Sequence, residues 1–230
     1  MKHLLVRATF IVGSALLLSG CGGRVFDWAK EHFDQGCPVN QHIERARCFI
    51  RTERIYDQFT LVGGFSAIWL SDVVREEYVE LHAYFRAKTE TEKKAMLRRQ
   101  LAENDHFIQF YVLSANDITL GKYDSDWSLV LRIADKIYSP HEVKEIELPQ
   151  EYILIFDKLW DGFQTPYLVK FAAKDVDGNL IIPNTTTCIS LEFRTFTKEC
   201  SMNWVSFSAC DMKDCSETCG ACIVHETTCS

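Results

Sequence analysis

Apolar residues recur along this chain in three successive rhythms. At the start they form one block: Lys2 and Arg7 precede a predominantly apolar run over residues 8–18. Such a run is shorter than the roughly 18 apolar residues that a membrane-spanning helix needs, and it suits the apolar segment of a secretory signal. From Arg24 to Asn104 the spacing is helical. Val25, Phe26, Ala29 and Phe33 predict a short helix over 24–34, ended by Gly36-Cys37-Pro38. Ile43, Ala46, Ile50 and Tyr56 predict a second over about 41–59, with Gly63-Gly64 as a break. Ser71-Asp72 opens a third, to Phe85, with Val74, Tyr78, Leu81 and Phe85 on its inward stripe. Thr89-Glu90-Thr91-Glu92 has the form of a capping box and precedes a fourth, ending near Asn104, with Ala95, Met96, Leu97, Leu101 and Ala102 apolar.

From His106 the rhythm changes to alternation. Residues 107–113 read as a buried strand, and Trp127, Leu129, Leu131 and Ile133 alternate with polar or smaller neighbours. Further strands are expected over 152–156, 167–172, 179–182, 188–196 and 201–207, with Asp177-Gly178 as a hairpin turn. No helical pattern separates them, so antiparallel pairing follows. The expected fold is α+β: N-terminal helices, then an antiparallel immunoglobulin-like β-sandwich, then a Cys-rich tail. The corresponding divisions are 1–20 (signal), 21–104 (lipidated N-terminus and helical segment), 105–207 (β-sandwich) and 208–230 (tail).

Composition narrows the function. With 47% apolar and 25% charged residues the chain can build a core, and a formal charge of −7 gives no electrostatic footprint for nucleic acid. Removing Lys2 and Arg7 with the leader takes the charge to −9, which works against polybasic docking on anionic lipid.

Behind the apolar run stands Leu18-Ser19-Gly20-Cys21, an apolar residue and two small ones before a cysteine. The segment resembles the lipobox of bacterial lipoproteins. The resemblance implies that Cys21 is lipidated and becomes the first mature residue, anchoring the protein to a membrane without a spanning helix. Gly22 is not the Asp that retains such proteins at the inner membrane in the enteric version of the family, which points to the outer membrane. Ile68-Trp69-Leu70-Ser71-Asp72 and Phe107-Ile108-Gln109-Phe110-Tyr111-Val112 resemble segments of bacterial lipoproteins in which helices precede a β-domain; no activity or functional residue comes with that likeness.

Of the 10 cysteines, Cys210, Cys215, Cys219, Cys222 and Cys229 crowd the last residues. Setting Cys21 aside leaves an odd number, so not all can pair within one chain. The tail admits a disulfide staple, a thiolate zinc site with His225 as a spare ligand, or cross-links to an envelope protein partner. Cys219-Gly220-Ala221-Cys222 also has the spacing of a redox pair, without the strand and helix that would lower a thiol pKa. Cys37 and Cys48 are a candidate clip on the N-terminal segment. Strand parity turns Cys188 outward and Cys200 inward, which argues against a hairpin disulfide between them.

Phosphate loops, zinc-protease helices and nucleophile elbows are absent. Asp175-x-Asp177-Gly178-Asn179 reads as a turn and not a calcium loop; Asp124 and Asp126 read as solvated loop acids; the scattered histidines read as single surface residues. Trp127 and Trp204 fall on inward strand positions, leaving Trp160-Asp161-Gly162-Phe163 as the aromatic loop that could bind. The sequence therefore predicts a lipid-anchored envelope protein of structural or binding type, with no catalytic residue, metal or cofactor assigned. The alternative is an envelope hydrolase, or a thiol- or metal-dependent protein using the tail.

Overall fold

The computed structural model describes residues 38–115, 118–183, 186 and 188–205. The chain divides into two units after Gln41. The fold is α+β, with two antiparallel sheets and four α-helices among the described residues. In chain order the elements are α1 (Pro38–Arg47), β1 (Ile50–Asp57), β2 (Thr60–Trp69), α2 (Asp72–Phe85), α3 (Glu90–Asn104), β3 (Phe107–Ser114), β4 (Ser128–Ile133), β5 (Lys136–Tyr138), β6 (Glu142–Glu145), α4 (Gln150–Phe156), β7 (Thr165–Ala172), β8 (Cys188–Arg194) and β9 (Glu199–Val205). The first sheet has the order β1-β2-β3-β7-β6 and the second β5-β4-β8-β9. The helix expected over 24–34 lies outside the described residues.

Four expectations are corrected. The helix predicted over 41–59 stops at Arg47, and Ile50–Asp57 is a strand paired with β2, so the first sheet draws on chain from both sides of residue 105. Arg, Glu and Ile suit a helix locally, but the hydrogen bonds offered by β2 override that weak preference. Gly63-Gly64 is no break; it lies inside β2 beside a register shift at Ile55/Tyr56. A Cβ on Gly63 would stand 2.9 Å from the Trp127 ring, so only glycine lets the indole lie on the strand. Residues 152–156 are helical within α4, where Tyr152, Ile155 and Phe156 are buried at helical spacing behind Pro149. A short apolar run fits either element, and here a helix covers the sheet. The strand expected over 179–182 is reduced to one bridge, Lys174 with Leu180, closing the Asp177-Gly178 turn.

The capping box is formed: Thr89 Oγ1 accepts from Glu92 N, and the Glu92 carboxylate accepts from Thr89 N at 2.9 Å. The α2 stripe is buried at Val74 and Leu81, whereas Phe85 at its last turn is half exposed.

Alternate residues of β3 serve two interiors. Ile108, Phe110 and Val112 join Phe65, Leu131, Val169, Phe171, Leu191, Phe193 and Trp204 in one apolar cluster between the sheets. Phe65 stacks on Phe193 with centroids 4.1 Å apart, and Trp204 donates its indole N–H to Phe49 O at 2.7 Å. Gln109, Tyr111 and Leu113 have the opposite parity and face the helices, a layer that also buries Ile68, Val74, Leu81 and Ile155.

Candidate functional site

Two regions outside the inter-sheet cluster concentrate chemistry. The first is a polar layer between α2, α3, α4 and β3. Glu77 and Glu151 are buried on α2 and α4. Glu77 is bonded by His42 Nδ1 and reached by Arg45 at 3.4 Å; His82 Nδ1 meets Glu151 at 2.9 Å. Arg75 is 3% exposed and donates to Gln100 at 2.6 Å and Asn104 at 2.7 Å, with one terminal nitrogen unpartnered. Tyr78 stacks on Tyr152, and Tyr111 meets Tyr152 edge-on at 4.6 Å. Burial pushes the Tyr111 phenol up to about 12 and the Tyr152 phenol well above its ordinary range, and it lowers the Arg75 guanidinium. These phenols stay protonated, the two glutamates meet histidines and Arg75 is held by neutral amides, so the layer ties the helices to one another and to the sheet. Two histidines expected at the surface are thus half-buried partners of glutamates 35 and 69 residues away, pairings that no local pattern announces.

The second region is one end of the two-sheet body. The β1–β2 turn, the β8–β9 turn and the segment leading from α4 into β7 all emerge there, because Phe65 pairs with Ser114, Ser114 with Thr165, and Ser128 with Arg194. Their tips are aromatic: Phe59 and Phe196 are fully exposed, and Phe163 is 70% exposed. Lys198 Nζ ties two of the turns together, donating to Tyr56 O at 3.2 Å and pairing with Asp57. Beside them the outer face of the first sheet opens into a groove of about 390 Å³. Thr52 and Ser66, hydroxyl to hydroxyl at 3.0 Å, lie in it, with Arg54 on one side and Lys158, Asp161 and Phe163 on the other. Asp161 Oδ1 accepts from Phe163 N at 2.8 Å, which fixes the turn that presents the ring. The aromatic loop singled out from sequence is therefore one wall of this groove. The β1 wall was missed, because β1 was expected to be helical.

The other sequence candidates fall apart from both regions. Cys21, Cys37, Cys210, Cys215, Cys219, Cys222, Cys229 and His225 lie outside the described residues. The Cys48 thiol donates to Glu44 O at 3.3 Å. Cys200 opposes Phe193 and Cys188 opposes Val205, so the β8–β9 register keeps the two cysteines apart. Cys200 packs against the inter-sheet cluster, and burial, with the Glu53 charge behind it, pushes its thiol up to about 12. Asp175 forms the expected turn, accepting from Asp177 N and Asn179 N, and Asp124 and Asp126 are exposed. Trp127 and Trp204 are buried as their parity requires. Among the described residues no cluster of His, Cys, Asp and Glu is placed to hold a metal ion, and no helix is long and apolar enough to cross a membrane. No family model matches the chain, and no curated protein or solved structure matches it either.

Proposed function

We propose that this chain is an exported, lipid-anchored envelope protein that acts by binding, with an immunoglobulin-like sandwich as its scaffold and the aromatic end as its contact surface. The strand order supports the scaffold reading. β2-β3-β7-β6 against β5-β4-β8-β9 corresponds to the A-B-E-D and C′-C-F-G order of immunoglobulin-type domains, with α2 and α3 inserted between the first two strands, α4 between the D and E strands, and β1 as an added edge. In that scheme the β8–β9 turn occupies the F–G position, on the end where variable domains carry binding loops.

The observation that carries the binding reading is that three turns at one end of the body each expose an aromatic ring, Phe59, Phe163 and Phe196, and that Phe163 lines a groove there. Single exposed apolar residues are ordinary, but several large rings presented at one end beside a groove favour a contact surface. The exposed apolar residues of the opposite end, Ile137, Val176 and Leu180, are aliphatic, although Leu180 lines a second groove, of about 820 Å³.

Anchoring through lipidated Cys21 follows from the Leu18-Ser19-Gly20-Cys21 match. Several acyl chains, at about 0.8 kcal/mol per buried CH₂, hold a protein on a bilayer without a spanning helix. The outer membrane is the expected site, and the tail cysteines offer covalent links to an envelope neighbour.

Two experiments test the proposal. Cys21→Ala is expected to release the protein from the membrane pellet after a high-salt wash; retention there removes the anchor. A photo-cross-linking amino acid at Phe163 is expected to give adducts in cells while the same group at Val176 gives none. Equal adducts at both positions, or none at Phe163, defeat the contact surface.

A further inference from the structure

The charges of the groove specify more than a surface. Arg54 and Lys158 both line it, and among the described residues neither has a carboxylate within ion-pairing distance. Its one acid, Asp161, already accepts from the backbone of its own turn. On a chain with a net charge of −7, this is a local surplus of positive charge with unspent donors. The Thr52–Ser66 hydroxyl pair, one of whose O–H groups bonds the other residue, adds one further donor on the floor. Leu61 and Phe163, 45% and 70% exposed, offer apolar contact along the same groove. Its volume of about 390 Å³ lies within the range of roughly 300–1,000 Å³ typical of small-ligand sites.

Resting on the reading of this groove as the binding surface, we infer that its ligand is an anionic amphiphile. A carboxylate or phosphate head engages Arg54 and Lys158, and an acyl or similar apolar body lies against Leu61 and Phe163. A guanidinium and an ammonium serve a carboxylate or a phosphate alike, so the head is defined by charge and the body by apolar area. The same chemistry is offered by a free fatty acid and by an anionic phospholipid in a bilayer.

The test is a titration of the full chain carrying Cys21→Ala, which removes the proposed anchor, with decanoate and with decyl phosphate below their micelle concentrations, read by calorimetry and by ¹⁵N resonances of residues 61–66 and 158–164. Decyltrimethylammonium serves as the cationic control, and phosphatidylethanolamine–phosphatidylglycerol vesicles form a second arm. Saturable binding of the anions, with resonance shifts confined to the groove, is the expected result. Arg54→Gln with Lys158→Gln is expected to weaken binding by about tenfold or more, the loss of charge-assisted hydrogen bonds worth upward of about 1.4 kcal/mol. Both side chains are exposed, and circular dichroism checks that the double variant is folded. Phe163→Ser is expected to weaken the anions further. Vesicle co-sedimentation that the double variant abolishes also supports the proposal and identifies the head as that of a lipid. Binding of decyltrimethylammonium with equal affinity, anion binding unchanged in the double variant, or no binding of monomers or vesicles overturns it. In the last case, adducts from Phe163 in cells would show that the contact surface stands and that only the ligand class is wrong.

Discussion

The two faces of the first sheet differ in the polar groups that they bury. Toward the second sheet the interior is hydrocarbon and aromatic ring, with Phe65, Phe110, Phe171, Phe193 and Trp204 at its centre. Toward the helices the same strands contribute Gln109 and Tyr111 to a layer holding Arg75, Glu77, Glu151 and His82. Close packing of large rings gains free energy from area removed from water, at about 25 cal/mol per Å². Buried charges gain little net once their desolvation is counted, but a wrong arrangement leaves one unpaired at a cost of several kcal/mol. The apolar interior therefore supplies stability, and the polar layer selects one seating of the helices on the sheet.

That contrast can be broken by substitution. Phe193→Ala, in the middle of the ring stack, is expected to cost about 3–5 kcal/mol in urea unfolding. Glu151→Ala, which strips His82 of its partner, is expected to cost about 1–3 kcal/mol. If the second loss equals the first, the division of labour between the faces is wrong.

Thr89→Ala removes the cap of α3, a helix with no fully buried residue, and is expected to cost about 1 kcal/mol. Its pH dependence sharpens the assignment. The backbone hydrogen bond from Thr89, aided by Lys88, lowers the Glu92 carboxyl from its ordinary 4.5 to about 2. A carboxyl depressed in the folded state stabilises above its unfolded value and loses that contribution as pH falls through the folded one. Thr89→Ala keeps that backbone N–H, so the variant that reads it is Glu92→Gln, whose difference from the unmodified chain is expected to narrow between pH 4.5 and about 2.

The smallest effects are expected at the rim and at a thiol. Phe163→Ser should shift stability by no more than about 0.5 kcal/mol, since the ring is exposed, while removing contact at the groove. With its thiol pushed up to about 12, Cys200 should resist iodoacetamide at pH 8 in the native state and react on denaturation; ready native alkylation would show that it does not lie against the core.

Strands and helices with a complete local signature were legible in the sequence. Thr89 to Glu92 spelled a cap, and Leu129, Leu131 and Ile133 alternated on a half-buried strand. β1 was not legible, because Arg51, Glu53 and Arg54 are as suited to a helix face as to a solvated strand. α4 was misread for the complementary reason: the apolar run Tyr152 to Phe156 carries no period long enough to separate helix from strand. One wall of the groove was legible, in the loop from Trp160 to Phe163, and the other was hidden with β1.

By itself the sequence determined the helices α2 and α3, the inward parity of Trp127 and Trp204, and the cap of α3. Each depends on residues within a few positions of one another. Only the tertiary structure decided that β1 and β2 extend the first sheet, that Glu77 and Glu151 find His42 and His82, and that Arg54, Lys158 and Phe163 border one groove. Those outcomes depend on contacts between distant segments. The hydrogen bonds and buried area that settle them exist only once the chain has folded back on itself.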